Sequence, residues 1–263
     1  MSAKIPVVIL CGGLGARLRE ETEFKPKPMV KIGNYPIVWH IMKIYGQFGF
    51  TRFILCLGYK GEILKDYFYH YEIMNSDIKI KLGSHNSYEV YNAHGEKGWE
   101  VILCNTGDDA YKGARLKRIE RYVDTEELMV TYGDGLADVN INNLLEFHRH
   151  HGKIATVTGV RPKHLRFGEL NIQKDKVIRF AEKPNYKGNY INGGFFVFNR
   201  KIFDHLEDRN DCELEGGALE QISNQGELMV YKHDKFWACM DTIRDTEYLN
   251  ALWKTNQAAW KIW

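Results

Sequence analysis

The sequence predicts an α/β fold in which helices flank an open, mostly parallel sheet. Three observations lead to this prediction. Apolar segments of strand length recur along the chain, helical patterns separate several of them, and shorter strand patterns follow in the second half. No long linker interrupts the chain, so we expect one domain over residues 1–263, with its main sheet up to about residue 160 and a small added β/α part from about 161 to 263.

Five apolar runs in the first half predict buried strands, since strands covered on both faces of a parallel sheet lack polar alternation. These runs are Val7–Leu10, Phe53–Leu57, Val101–Cys104, Leu128–Tyr132 and Ile154–Val160. Apolar residues at helical spacing lie between several of them, as at Ile37, Ile41 and Ile44, at Leu116 and Ile119, and at Leu144 and Phe147. This alternation predicts a Rossmann-like sheet whose ligands lie beyond the carboxyl ends of the strands.

Shorter strand patterns, bounded by turn residues, begin at about residue 161 and indicate that the sheet becomes mixed. They cover Gly168–Ile172, Val177–Glu182, Tyr190–Phe198 and Glu227–Lys232. Helical spacing returns between Thr246 and Trp263. We expect this C-terminal segment to dock on its own domain, with a subunit interface as the alternative.

Composition indicates a folded protein with a small-molecule partner. Of the 263 residues, 44% are hydrophobic and 27% are charged, which is typical of globular chains and unlike disordered ones. The 36 basic and 34 acidic residues leave a net charge of +2, so no overall field recruits nucleic acid or a membrane. Neither a signal-peptide pattern nor an apolar run of spanning length is present, and we expect a cytoplasmic protein.

Neither the cysteines nor the histidines form a pattern typical of a metal site. The five cysteines are widely separated and odd in number, which fits neither zinc binding nor a disulfide framework. His148, His150 and His151 end a predicted helix, and we interpret them as surface residues favoured by the helix dipole.

A glycine-rich segment after the first predicted strand is suited to binding an anion. Gly12, Gly13 and Gly15 would leave backbone N–H groups accessible, although a tight turn also requires glycine. The segment is neither a dinucleotide loop nor a P-loop, because Leu18 and Arg17 stand where those motifs require glycine.

Two cationic side chains close to this segment have the chemistry for phosphate. Arg17 carries a planar guanidinium that pairs with phosphate oxygens, and Lys27 carries a compact positive charge. Pro26 and Pro28 restrict the backbone around Lys27, which lowers the entropy lost when this side chain is ordered on a ligand. The alternative is a solvated extended segment.

Two aspartates are candidate ligands for Mg²⁺, which prefers oxygen and takes one or two carboxylates from a protein. Asp134 lies between Gly133 and Gly135 at the end of a predicted buried strand, although Gly-Asp-Gly is also common in turns. Asp241 precedes a helical pattern and has the alternative role of an N-cap. Asp138 is interpreted as structural.

These motifs together resemble those of the sugar-1-phosphate nucleotidyltransferases. The pattern LCGGLGARL with KPKPM is similar to the signature of that family, and eight further motifs follow in order. They are PIVWHIMKIY, LGYKGE, NTGDDAYKGARLKR, YGDGLAD, RFGEL, EKP, INGGFF and MDTIRD. The resemblance is closest to the cytidylyltransferases of the family. It implies Mg²⁺-dependent transfer of a cytidylyl group from CTP to a sugar 1-phosphate, with α-D-glucose 1-phosphate as the expected acceptor, in a homo-oligomer.

The resemblance also implies roles for individual residues. Arg17 and Lys27 would be catalytic and would contact the nucleotide, and Asp134 and Asp241 would hold the metal. The other nucleotide-binding residues would be Leu10, Gly12, Gly13, Gly15, Thr106, Arg115 and Gly133. The sugar phosphate would be bound by Glu182, Lys183, Asn192 and Gly193. Residues up to about 160 would thus form a nucleotide-binding half and residues from about 161 a sugar-phosphate-binding half. From its own sequence context, Arg115 could equally be a surface residue.

Two departures from the family pattern lie in the half that selects the acceptor. Gly217, Ala218 and Leu219 stand where the cytidylyltransferases have Glu-Pro-Leu, and extra residues precede Phe167. Another acceptor is therefore an alternative. UTP or dTTP in place of CTP is a separate alternative, because the choice of base depends on a few contacts that the sequence does not locate. A catalytically silent sugar-nucleotide-binding protein is the alternative from a different class. A glycosyltransferase is disfavoured, because the Asp-x-Asp metal motif is missing around Asp134.

Overall fold

The computed structural model describes residues 4–83, 88–91, 94–161, 169–173, 176–181 and 190–263. The strands are β1 Val7–Leu10, β2 Lys31–Ile32, β3 Tyr35–Pro36, β4 Arg52–Leu57, β5 Asp77–Ile80, β6 Tyr88–Tyr91, β7 Glu100–Asn105, β8 Glu127–Tyr132, β9 Gly135–Ala137, β10 Ala155–Val160, β11 Glu169–Gln173, β12 Lys176–Ala181, β13 Ile191–Asn192, β14 Phe196–Asn199, β15 Leu228–His233 and β16 Trp237–Cys239. The α-helices are α1 Arg19–Thr22, α2 Ile37–Gln47, α3 Gly61–Tyr69, α4 Tyr71–Asn75, α5 Lys112–Arg118, α6 Ile141–His151, α7 Glu220–Asn224 and α8 Ile243–Lys254. Among the residues in these ranges, no helix is long and apolar enough to cross a lipid bilayer.

The central sheet is mixed, with four parallel strands on one side of it. Its strand order is β13-β10-β14-β8-β1-β4-β7, and β15 also pairs with β10. Strands β8, β1, β4 and β7 run parallel to one another, whereas β14 is antiparallel to both β8 and β10. The predicted Rossmann-like architecture, mostly parallel at first and mixed in the second half, is confirmed.

Most strand patterns in the sequence correspond to observed strands. All five runs of the first half form strands of the central sheet, with ends that differ by one residue at most. The strand pattern over Tyr190–Phe198, which contains the double glycine Gly193–Gly194, corresponds to two strands, because β13 ends at Asn192 and β14 begins at Phe196. Gly194 and Phe195 between them have φ angles of 76° and 45°, which extended strands do not contain.

Hydrophobic clusters cover both faces of the sheet. Alternate residues of β1 belong to different clusters: Val7 and Ile9 pack with α2 and α8, and Val8 and Leu10 pack with α5. Trp260, beyond the end of α8, is fully buried in the first of these clusters. The prediction that the C-terminal segment docks on its own domain is thereby confirmed.

His148 is buried, which contradicts its interpretation as a surface residue. Its Nδ1 atom lies 2.9 Å from the Thr156 hydroxyl, and His151 Nε2 lies 2.7 Å from the same oxygen. The reason is helical periodicity, since His148 falls on the same stripe of α6 as Ile141 and Leu145, the face that packs on the sheet. Proximity to the end of a helix does not by itself make a residue exposed.

We expect the folded state to lose stability as the pH falls from 6.5 toward about 4. Burial lowers the pKa of both His40 and His148 to about 4, so both imidazoles stay neutral in the folded protein under conditions that protonate the unfolded chain. Their contribution is complete above pH 6.5 and is lost as the pH approaches the folded pKa. Urea midpoints of His148→Gln should therefore depend less on pH than those of wild type. The exposed His150→Gln variant is the control, and equal slopes for all three proteins would contradict this account.

Candidate active site

The glycine-rich segment lies at the carboxyl end of the parallel strands. It is anchored where β1 ends, because Cys11 N donates to Cys56 O at 3.0 Å and Gly133 N donates to Leu10 O at 3.1 Å. Gly15 has a φ of 63°, and a Cβ atom there would lie only 2.8 Å from a Thr22 carbon. A Cβ atom on the exposed Gly13 would have no atom within 4 Å. The segment is thus closely packed on either side of Gly13 and open at that position.

Arg115 and Thr106 support the glycine-rich segment through hydrogen bonds from the interior of the protein. Arg115 is only 3% exposed, and its guanidinium donates to Gly12 O at 2.9 Å, Gly107 O at 2.6 Å and Thr106 Oγ1 at 3.0 Å. Thr106 is also buried, and its hydroxyl donates to Leu57 O at 2.6 Å. These contacts rule out the surface interpretation of Arg115. Both side chains instead hold together the backbone that borders the site.

Replacing Gly12 by Ala should displace Arg115, because the new Cβ atom would lie 2.0 Å from Arg115 Nη1. Breaking this buried hydrogen-bond network should cost about 2 to 3 kcal/mol of stability. A misplaced loop should also lower kcat/KM on the order of tenfold to a hundredfold. Gly13→Ala is the matched control and should keep the wild-type melting temperature, since it meets no atom. An unchanged melting temperature for the Gly12 variant would show that Arg115 does not depend on this contact.

Strand pairing brings Asp134 and Asp241 together. Strand β9 follows Asp134 directly and pairs antiparallel with β16, which ends two residues before Asp241. Met240 N extends the ladder by donating to Asp134 O at 2.9 Å. The N-cap alternative for Asp241 is wrong, because Thr242 caps α8 in a capping box with Asp245.

Lys27 lies between the two carboxylates. Its ammonium nitrogen is 2.5 Å from Asp134 Oδ2 and 2.6 Å from Asp241 Oδ1. Burial would lower the pKa of Lys27, but the charges and hydrogen bonds of both aspartates raise it above its ordinary value. Burial likewise opposes ionisation of Asp241, yet the hydrogen bond and charge of Lys27 lower the pKa of this carboxyl to about 2. Arg17 Nη1 lies 3.1 Å from Asp241 Oδ2, with 67% of its side chain exposed and available to a ligand.

The donor set at this point fits Mg²⁺. Asp134 and Asp241 both face one nitrogen atom, and two carboxylates are what Mg²⁺ takes from a protein when phosphates and water supply its other ligands. Within the described ranges, no group of three or more His, Cys, Asp or Glu side chains is arranged to hold a metal. The pair therefore suits a cation that is bound together with a phosphate.

Asn192 and Gly193 lie where the sheet is interrupted between β13 and β14. Asn192 Nδ2 donates to the Tyr132 hydroxyl at 2.8 Å. Gly193 O accepts from Trp237 Nε1 at 2.9 Å, and a Cβ atom on Gly193 would lie 2.5 Å from a Val160 methyl carbon. Close packing on β10 therefore requires glycine here. Three residues singled out in the sequence lie outside the described part of the chain: Phe167, Glu182 and Lys183.

One cavity of about 850 Å³ connects these groups and has the size of a small-molecule site. The predicted site residues that line it are Leu10, Gly12, Gly13, Gly15, Arg17, Lys27, Arg115, Gly133, Asp134, Asn192, Gly193 and Asp241. Thr106 stands behind Arg115 and does not line it. A second cavity, of about 860 Å³, lies between α2, α3, α4 and β7, is lined by several aromatic side chains, and contains none of these residues.

Several cavity-lining side chains were missed by reasoning from the sequence. They are Lys112, Tyr132, Glu213, Glu215, Trp237 and Cys239. Tyr132 ends a predicted strand, and Trp237 and Cys239 alternate on a short strand before Asp241, so strand periodicity could have indicated these three. No local signal indicates that Lys112 and Glu215 meet.

A carboxylate pair, two cations and a bare glycine-rich turn at the carboxyl end of a Rossmann-like sheet define a class of α/β proteins that handle phosphorylated nucleotides. The chain belongs to the nucleotidyl transferase family, whose family model matches residues 6–261. It is thus a nucleotidyltransferase, and the predicted resemblance is confirmed.

A curated relative agrees with this assignment, and solved structures share the fold. The chain is 48% identical to glucose-1-phosphate cytidylyltransferase of Salmonella typhi, over 97% of this chain and 98% of that protein. The fold is similar to that of HddC from Yersinia pseudotuberculosis complexed with GMP-PN, with a TM-score of 0.67, 20% identity and coverage of 95% and 99% of the two chains. It is also similar to the inositol-1-phosphate CTP transferase of T. maritima, with a TM-score of 0.62, 16% identity and coverage of 95% and 96%.

Proposed function

We propose that this nucleotidyltransferase uses Mg²⁺ to transfer a cytidylyl group from CTP to α-D-glucose 1-phosphate, giving CDP-glucose and pyrophosphate. The observation that carries the proposal is the cavity in which Arg17, Lys27 and the two aspartates face the glycine-rich segment. The choice of CTP and glucose 1-phosphate is supported by the 48% identity to a glucose-1-phosphate cytidylyltransferase over nearly the whole chain.

In the proposed reaction, a phosphate oxygen of the sugar 1-phosphate attacks the α-phosphorus of CTP. A new P–O bond forms there while the bond from the α-phosphorus to the bridging oxygen of the β-phosphate breaks, and pyrophosphate leaves with that electron pair. The nucleophile is already an anion, so no general base is required. The main obstacle is the repulsion between two polyanions, which the site reduces by supplying positive charge and alignment.

The cations of the site are suited to this task. An ammonium group has three N–H donors, and Lys27 uses two of them on Asp134 and Asp241, which leaves one for a phosphate oxygen. Lys27 would contact the α-phosphate and its attacker, whereas the more exposed Arg17 would contact the departing pyrophosphate. The open backbone at Gly13 would receive triphosphate oxygens on N–H groups.

Asp134 and Asp241 would hold the Mg²⁺ ion. When bound, Mg²⁺ supplies positive charge to phosphate oxygens and screens the approach of one phosphate to another. Arg115 and Thr106 act on the nucleotide through the loop that they support. We further propose that Asn192 and Gly193, together with Glu182 and Lys183, bind the sugar phosphate, so that the second half of the chain selects the acceptor.

The proposal is tested by measuring pyrophosphate release from CTP, UTP, dTTP and GTP, each paired with glucose 1-phosphate and a panel of other sugar 1-phosphates. We expect the highest kcat/KM for CTP with glucose 1-phosphate, loss of activity on chelation and recovery with Mg²⁺. A higher kcat/KM with another nucleotide or acceptor would refute the assigned substrates. Binding of CTP without pyrophosphate release in any combination would identify a non-catalytic sugar-nucleotide-binding protein.

A further inference from the structure

Four hydrogen-bonded side chains form a polar row on the wall of the cavity: Asn192, Tyr132, Glu215 and Lys112. Asn192 Nδ2 donates to the Tyr132 hydroxyl at 2.8 Å, and this hydroxyl donates to Glu215 Oε1 at 2.8 Å. The Lys112 ammonium donates to the same Glu215 oxygen and lies 4.9 Å above the Tyr132 ring. The polar row therefore joins the interrupted strand region at Asn192 to α5 across the cavity.

The position of the Glu215 backbone is set by a turn that packs on the hydrophobic core. Glu215 projects from a π-helical turn, Leu214–Leu219, that leads into α7. Such turns hold one more residue than a turn of α-helix and are frequent at functional sites. Leu214 and Ala218 anchor the turn in the hydrophobic cluster that it shares with α5. The same turn contains the Gly217 region, where the chain departs from the Glu-Pro-Leu pattern.

Free hydrogen-bonding atoms remain on the polar row. Glu215 Oε1 accepts from both Tyr132 and Lys112, whereas Oε2 has no hydrogen-bond partner among the described residues. The Tyr132 hydroxyl accepts from Asn192 and donates its own hydrogen to Glu215, so it occupies one lone pair of the carboxylate. Asn192 Oδ1 accepts from Gly194 N at 2.9 Å, so the amide orientation is fixed, and one Nδ2 hydrogen has no acceptor in the part of the chain that the structure describes. A free acceptor and a free donor on one wall match hydroxyl groups, which can donate and accept.

The topology favours the acceptor sugar over the nucleotide as the source of these hydroxyls. Asn192 belongs to β13, which pairs with β10 in line with β14, and β14 lies on the opposite side of β8 from β1 and its glycine-rich segment. A triphosphate bound at Gly13, Arg17 and Lys27 would approach the cavity from the β1 side. The reactant that meets the polar row would then be the second one.

We propose that Glu215 determines acceptor specificity by accepting a hydrogen bond from a ring hydroxyl of the sugar 1-phosphate. This inference rests on the proposed function, because it assumes that the second reactant is a phosphorylated sugar. Tyr132 and Lys112 are positioning residues that hold the carboxylate of Glu215 in place. The residue would restore acceptor selection in a segment that lacks the Glu-Pro-Leu pattern.

The test compares wild type with Glu215→Gln, using glucose 1-phosphate and its 2-, 3-, 4- and 6-deoxy analogues as acceptors with CTP. In wild type, one deoxy analogue should be used about tenfold to a hundredfold less efficiently than glucose 1-phosphate, the range expected for one hydrogen bond to a charged group. The Glu215→Gln variant should lose this discrimination at that one hydroxyl, and its KM for CTP should be unchanged. Glu220→Gln changes an exposed carboxylate on the following helix and should behave as wild type.

Two results would overturn the inference. One is a Glu215→Gln variant that keeps every deoxy penalty of wild type. The other is a variant whose defect disappears with 2′-deoxy-CTP or 3′-deoxy-CTP, which would assign the contact to the ribose. If wild type prefers another acceptor, the deoxy series of that acceptor is used instead. If wild type releases no pyrophosphate with any acceptor, the proposed function fails. Calorimetry then tests the Glu215 contact by itself, by comparing the affinity of wild type and of Glu215→Gln for glucose 1-phosphate. Equal affinities would refute the contact.

Discussion

Replacing Asp134 or Asp241 by Ala is expected to abolish turnover while the protein stays folded. Each carboxylate is a proposed Mg²⁺ ligand, and its loss should lower kcat on the order of 10³-fold or more. The fold should persist because Lys27 keeps one carboxylate partner in either variant. Pyrophosphate release at saturating substrate gives the loss of activity, and circular dichroism melting shows whether each variant is folded.

The matched control for these variants is Asp138→Asn. Asp138 lies four residues beyond Asp134, pairs with His233 Nε2 at 2.9 Å and does not line the cavity, so its turnover should stay close to that of wild type. Mn²⁺ binding, followed by electron paramagnetic resonance, provides a readout that does not require turnover. Wild type should bind Mn²⁺, and the variant lacking both Asp134 and Asp241 should not. Near-normal turnover with both aspartates replaced would refute the metal assignment.

The central sheet could be predicted because its strands are buried on both faces. Runs such as Val7–Leu10 and Phe53–Leu57 are continuously apolar, and such short apolar runs are typical of strands that are covered on both faces of a sheet. The β5–β6 ribbon was missed because its exposed residues are not continuously apolar. The double glycine Gly193–Gly194 marks the break between β13 and β14, but a strand pattern gives no information on the positive φ angle of Phe195.

The chemistry of the site could be predicted from residue types, whereas its assembly could not. The sequence indicated that Asp134 and Asp241 are suitable metal ligands, and resemblance to a family joined them. Their proximity depends on pairing between β9 and β16, which are far apart in the chain. A local pattern carries no information about such pairing, since it is selected by tertiary packing.

Arg115 and Glu215 also show that the sequence does not reveal contacts between distant residues. Arg115 lies in a basic segment, which suggests an exposed side chain. Its guanidinium is instead buried and donates hydrogen bonds to the carbonyl oxygens of the distant Gly12 and of Gly107. Glu215 is one acidic residue among many in the sequence, and only its contacts with Tyr132 and Lys112 give it a place in the cavity. In both cases the partner is remote in sequence, so the role becomes apparent only in three dimensions.

Lys27→Ala is expected to lower kcat/KM on the order of 10² to 10³-fold, the effect of removing one preorganised charge contact from a transition state. The same range is expected for Arg17→Ala. Without Lys27, the carboxylates of Asp134 and Asp241 lose the charge that lies between them, and the remaining Arg17 beside Asp241 is exposed. Stability should fall by about 2 kcal/mol, between the values typical of exposed and of buried ion pairs. Steady-state kinetics and urea unfolding measure the two effects.

Mn²⁺ binding separates the charge of Lys27 from the metal site. The ammonium of Lys27 contacts both carboxylates and would compete with a divalent cation for them, so Lys27→Ala should bind Mn²⁺ at least as tightly as wild type while losing turnover. Lys25→Ala is the control from two residues earlier in the chain, because Lys25 pairs with Glu21 at 2.7 Å and does not line the cavity. A loss of less than tenfold for both Lys27→Ala and Arg17→Ala would mean that neither side chain stabilises the transferring phosphate. Metal binding lost together with turnover in Lys27→Ala would instead mean that the lysine holds the aspartates in place.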